Sequence, residues 1–107
     1  MTARLDLPLR YRHMVETLLR EYVPDAEVWA YGSRVNGESH AGSDLDLVLR
    51  SPTPESLGTA FTDLVEAFRE SNIPILVQVC DWARIPESFR NEITRGYVVL
   101  QKGPPAS

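Results

Sequence analysis

Gly32-Ser33-Arg34-Val35-Asn36-Gly37-Glu38-Ser39-His40-Ala41-Gly42-Ser43-Asp44-Leu45-Asp46-Leu47 is the stretch on which the reading of this chain turns. It joins two segments of strand character. Ahead of it lies Glu27-Val28-Trp29-Ala30-Tyr31, short, rich in β-formers and stopped by Gly32. At its end Asp44-Leu45-Asp46-Leu47-Val48-Leu49-Arg50 alternates and then turns apolar, the pattern of a strand that is mostly buried. Residues 32–43 between them are polar with three glycines, a loop with room for one helical turn. The two strands can then pair as antiparallel neighbours across that loop.

Outward from this centre the period changes element by element. Upstream, Tyr11, Met14, Val15, Leu18, Leu19, Tyr22 and Val23 recur at helical spacing. Pro8 suits the first helical position, where its missing N–H costs nothing. Pro24 ends the helix, because the residue before a proline leaves the helical region. Downstream, residues 51–54 read as a turn. Leu57, Ala60, Phe61, Leu64, Val65 and Phe68 give a second amphipathic helix ending near Ser71-Asn72. Residues 75–81 (ILVQVCD) read as a third strand and 86–95 as a third helix, with Phe89 and Ile93 one turn apart. Gly96 breaks that helix before a last strand over 97–101. The order predicts an α/β (α+β) domain, one small sheet of about four strands flanked by helices. Its bounds are expected at 1–101, with 102–107 a disordered tail, since Gly103-Pro104-Pro105 continues no regular element.

Composition bounds the function. A chain of 107 residues holds one core, so a cleft with two walls needs a wall from another chain. Hydrophobic residues at 43% and charged residues at 24% fit a globular protein and exclude a disordered one. A net charge of -4 argues against a dedicated nucleic-acid binder. One cysteine excludes an internal disulfide framework. No apolar run reaches the roughly 20 residues of a membrane span, and 1–12 lacks the apolar centre of a secretory signal. The expected location is the cytoplasm.

Two features of the central stretch bear on chemistry. Asp44 and Asp46, two apart at the start of a strand, place two carboxylates on one side of it. Like charges this close repel, and a cation between them relieves the repulsion; oxygen ligands of this kind suit Mg²⁺ together with substrate phosphates. A bare Asp-x-Asp also reads as two solvated acids. Gly32-Ser33, directly after a strand, allows a tight turn and a close approach to a ligand. If Ser33 opens a helical turn, its free N–H groups can hold a phosphate. A plain strand-to-turn Gly-Ser is the alternative.

Together the two are far more specific. Gly-Ser, ten residues, then Asp-x-Asp resembles the signature of the polymerase-β-like nucleotidyltransferases. The chain is similar to the minimal nucleotidyltransferase family, small proteins paired with HEPN-domain partners in toxin–antitoxin loci. The likeness runs from about Leu9 to Gln101: a leading amphipathic helix, V-W-A-Y-G-S, G-S-R-x-x-G, S-D-L-D-L, then a β-α-β finish through D-W…S-F-R. The resemblance implies a nucleotidyltransferase that moves AMP from ATP to a hydroxyl of a partner protein, such as a tyrosine of a HEPN toxin. It implies that Asp44 and Asp46 are catalytic and hold Mg²⁺ or Mn²⁺, and that Gly32, Ser33, Arg34 and Ser43 surround the nucleotide. Arg34 as a solvated loop residue is the alternative. Self-association is a further expected partnership; nucleic acid and membrane are not expected.

One position departs from the family pattern. Where the family carries a third carboxylate, as in V-D-V-V-D-W, this chain reads Val77-Gln78-Val79-Cys80-Asp81-Trp82. Gln78 cannot serve as a base, though its carbonyl oxygen can still join a metal site. Asp81, three residues on, faces the opposite side of a strand and reads as a strand-end or capping acid. Three readings follow: an enzyme working with two carboxylates, a nucleotide-binding antitoxin that acts by binding its partner, or a substitution that silences catalysis. His13 and His40 read as solvated, Cys80 as a small packed residue, and Trp29 and Trp82 as core or interface. Arg84, Arg90 and Arg95 read as a basic edge or as solvated side chains.

Overall fold

Hydrophobic period and glycine placement set the element order of the chain, which a computed structural model describes over residues 4–52 and 57–103. Helix α1 (Leu9–Tyr22) leads into β1 (Glu27–Tyr31), the short helix α2 (Ser33–Asn36) and β2 (Leu45–Arg50). Helix α3 (Thr59–Glu70), β3 (Val77–Asp81), a 3₁₀ turn (Trp82–Arg84), α4 (Glu87–Thr94) and β4 (Tyr97–Gln101) follow. The sheet order is β3-β2-β1-β4, with β1 antiparallel to both β2 and β4, and β2 parallel to β3. The expected antiparallel pairing across the central loop is present, running from Glu27 opposite Arg50 to Tyr31 opposite Asp46.

The predicted elements form with small shifts at their ends. Pro8 stands just outside α1, its carbonyl accepting from Tyr11 and Arg12. The third strand begins at Val77 rather than 75, and Asp44 sits one residue ahead of β2. The expected turn at 51–54 falls partly, and the tail largely, outside the described residues.

Strand β2 shows why one sheet serves two layers. Leu45, Leu47 and Leu49 point to the side covered by α1 and α3, where they meet Val15, Leu19, Val28, Ala30 and Leu64. Each buried leucine contributes about 1.5–3 kcal/mol. The intervening residues face the other way. Val48 joins Trp29 and Ile93 in a smaller cluster, where Trp29 stacks on Tyr97 at 3.9 Å and meets Trp82 edge-on at 5.4 Å. Asp46 belongs to this second face by the same alternation. A strand buried on both sides therefore carries one acid out of its core at the end where pairing with β1 stops.

Candidate active site

Asp46 lies opposite Tyr31 on β1 and beside Gln78 on β3. Its carboxyl is half-buried and held above the ordinary carboxylate range, first by loss of solvent and then by the charge of Asp44. No hydrogen bond to this carboxylate is found among the described residues. Asp44, exposed, completes the pair. The repulsion anticipated from spacing is thus present in the fold.

Gly32 explains how the turn comes so close. Its backbone adopts φ 82° and ψ -153°, accessible essentially to glycine alone. A Cβ there would stand 2.6 Å from Asp46 Oδ2. The sequence pointed to an approach between glycine and a ligand; the geometry shows an approach between glycine and one of the two carboxylates. Ser33, half-buried, then opens α2, whose first N–H groups lack intrahelical acceptors.

Arg34 is neither solvated nor turned toward the carboxylates. It is 3% exposed, and its guanidinium donates to the carbonyls of Ser43, Ala41, His40 and Asp6 at 2.7–3.4 Å. Ser43 is buried as well; its Oγ accepts from His40 N–H at 2.9 Å. Both residues shape the loop from within.

Gln78 is exposed and shares the face of Asp46, as strand alternation requires. Among the described residues, no group of three or more His, Cys, Asp or Glu side chains gathers. Asp81 is on the opposite face, 3% exposed, accepting from Ala83 N–H at 3.0 Å and Leu57 N–H at 3.3 Å. The capping role read for it is what the structure shows. Cys80 packs half-buried with its Sγ 3.5 Å from Tyr31 Oη. Burial raises both pKa values, so both groups stay protonated at neutral pH.

The three arginines read as a basic edge or as solvated side chains differ in their settings. Arg84 is exposed, Arg90 donates to the Trp82 carbonyl at 3.0 Å, and Arg95 pairs with Glu92 at 3.3 Å. Sequence reasoning missed a cleft of about 380 Å³ lined by Gly32, Tyr31, Asn36, Phe89 and Arg95 among others. Phe89, which the sequence places one turn from Ile93, is 36% exposed and meets Tyr31 edge-on at 5.8 Å. The aromatic residue at the end of β1 was the available signal.

A Gly-Ser turn seated against an acid pair on a mixed sheet defines a nucleotidyltransferase palm. Residues 2–94 match the family described as the central palm domain of mitochondrial-like poly(A) RNA polymerase. Over 100 residues the chain is 44% identical to the Probable protein adenylyltransferase MntA of Haemophilus influenzae, covering 94% of this chain and 87% of that one. The chain belongs to the minimal nucleotidyltransferase family. Its fold is also that of a chain in a crystal structure of a toxin–antitoxin with AMP-PNP, at 19% identity and TM-score 0.69, over 85% of this chain and 73% of the other. A complex of tri-AMPylated Shewanella oneidensis HEPN toxin with its MNT antitoxin gives TM-score 0.64 at 16% identity, over 88% and 71%. No helix among the described residues is long and apolar enough to cross a membrane.

Proposed function

We propose that the chain transfers AMP from ATP to a hydroxyl of a partner protein, as the antitoxin of a cytoplasmic HEPN toxin–antitoxin pair. The observation that carries this reading is the Asp44–Asp46 pair with the Gly32 backbone against it. The relative named an adenylyltransferase supports the reaction class, and the AMPylated HEPN toxin of the structural neighbour supports the acceptor.

The residues fit a divalent cation. Asp46 is half-buried beside a second carboxylate and has no hydrogen-bonded partner among the described residues, a donor set of hard oxygens that favours Mg²⁺ or Mn²⁺. Asp44 and Asp46 would hold it, with the Gln78 carbonyl oxygen at hand; when bound it would neutralise phosphate charge and polarise the reacting oxygens. The protein's own contribution is placement. Gly32 keeps the chain low enough for a triphosphate to reach the carboxylates, and Ser33 offers its hydroxyl and N–H from the same turn. The acceptor oxygen bonds to the α-phosphorus, the bond to pyrophosphate breaks, and the hydroxyl proton leaves to solvent. Gln78 cannot take that proton.

The decisive experiment combines the full chain, its HEPN partner, α-labelled ATP and Mg²⁺. Label is expected on the partner, with loss on Asp44→Asn. No label with the chain, and none with Gln78→Asp, would end the enzymatic reading. Exposed Gln78 beside Asp46 favours a second reading, an antitoxin that binds nucleotide and neutralises by occupying its partner. Under it, Asp44→Asn neutralises the toxin as well as the wild type does.

A further inference from the structure

The Arg34 guanidinium is a buried cation, and among the described residues it forms no ion pair. Burying a charge this way is tolerated only when its N–H groups are satisfied. Here the acceptors are four main-chain carbonyls from two segments far apart in sequence. Nε and one terminal nitrogen both donate to the Ser43 carbonyl, at 3.0 and 2.9 Å, one residue ahead of Asp44. The same nitrogen reaches Ala41 O at 3.1 Å and His40 O at 3.4 Å. The other terminal nitrogen donates to Asp6 O at 2.7 Å, and the Asp6 N–H donates back to Arg34 O at 2.6 Å. The Asp6 carboxylate accepts from Ser39 Oγ, so the segment before α1 grips the loop at a second point. These carbonyls belong to irregular chain without a sheet ladder to satisfy them, and a planar fork fixes their relative positions.

We propose that Arg34 is a positioning residue which, with Asp6, clamps loop 39–43 and thereby sets Asp44, making the segment before α1 part of the nucleotide site. The proposal rests on the reading of Asp44 and Asp46 as that site. Arginine acts through Ser43 and not on the phosphates, so charge alone does not replace it. A lysine keeps the charge but lacks the fork.

Amide hydrogen exchange and Mg·ATP affinity of the full chain test this together, in Arg34→Met, Arg34→Lys and Asp6→Ala. Ser43 N–H, which donates to His40 O at 2.9 Å, reports the loop. Leu47 and Leu49, in the ladder with β1, report the sheet. Both Arg34 variants are expected to speed Ser43 exchange at least tenfold and weaken Mg·ATP at least tenfold, with the sheet amides unchanged. Asp6→Ala is expected to do the same about threefold. Nucleotide affinity restored by Arg34→Lys, or Ser43 exchange unchanged in Arg34→Met, overturns the clamp. Should Arg34→Met fail to fold, wild-type loop exchange in Asp6→Ala overturns it. A wild-type chain that does not bind Mg·ATP defeats the functional reading, while the exchange measurement still decides the clamp.

Discussion

Asp46 and Asp81 sit on adjacent parallel strands and are treated in opposite ways. Asp81 is almost wholly withdrawn from water, and two backbone N–H groups, from Ala83 and Leu57, receive it. It ties the 3₁₀ turn and the approach to α3 onto the end of β3. Asp46 is half-buried with no such donors among the described residues, beside Asp44 and against the Gly32 backbone, and its carboxyl pKa is raised. A buried acid that serves the fold has its hydrogen bonds complete. On the proposed reading, an acid that receives a ligand is left incomplete by the fold. The contrast separates structural from functional acids more sharply than sequence spacing does.

The largest effect expected from this contrast is on chemistry. Asp44→Asn or Asp46→Asn should each lower AMP transfer at least about 10³-fold, or about 4 kcal/mol of barrier, with the circular dichroism spectrum unchanged. Asp81→Asn should retain transfer in the fraction that remains folded. Equal losses in all three would mean that Asp46 is a structural acid after all.

Gly32→Ala comes next. The new Cβ meets Asp46 Oδ2 and the backbone stands at φ 82°, so a cost of about 2–4 kcal/mol is expected, read as a lower denaturation midpoint. Part of that cost belongs to the contact. In an Asp46→Ala background the penalty should shrink, and a double-mutant cycle measures by how much. A cycle with no coupling would place the whole effect in the backbone.

Asp81→Ala removes a buried acceptor from two part-buried N–H groups and should cost about 1–2 kcal/mol in urea unfolding. That is a stability loss without a gain elsewhere. A variant as stable as wild type would show that water or Trp82–Arg84 rearrangement replaces the carboxylate.

Much of this was legible in sequence because period reports burial. The alternation in Asp44–Arg50 placed a strand with an acid on one face, and the helical stripes placed α1, α3 and α4. The opposite facing of Gln78 and Asp81 followed from strand geometry alone. Strand order was not legible, since pairing across the sheet depends on which faces meet. The solvated alternative for Arg34 fails for a related reason: an arginine in a polar loop looks solvated, and only the folded loop reveals the carbonyls of Asp6, 28 positions away, and of Ser43. The cleft beside Gly32 was missed because Phe89 has the spacing of a core residue and only the packing of α4 shows its exposed edge.

The smallest effect is the most diagnostic, because its sign is opposite to that of most substitutions. The Asp46 carboxyl has a higher pKa folded than unfolded, so between those two values the folded chain holds more protons. Stability from this group is then full in acid and falls as pH rises from the ordinary carboxylate range near 3.9 through the raised value, staying low above it. Asp46→Asn removes the penalty and should stabilise the free chain at pH 7. Because the group is half-exposed, screening limits the gain to on the order of 0.5 kcal/mol, about 2–4 °C in Tm. The difference in Tm between variant and wild type should vanish only as pH falls below about 3, where folded and unfolded chains both hold the proton. Saturating Mg²⁺ should reverse the order, stabilising the wild type by mass action and leaving Asp46→Asn nearly unmoved. Calorimetry across pH with and without the cation checks both signs. A variant less stable than wild type at pH 7 in EDTA would mean that the Asp46 carboxylate supports the fold as Asp81 does.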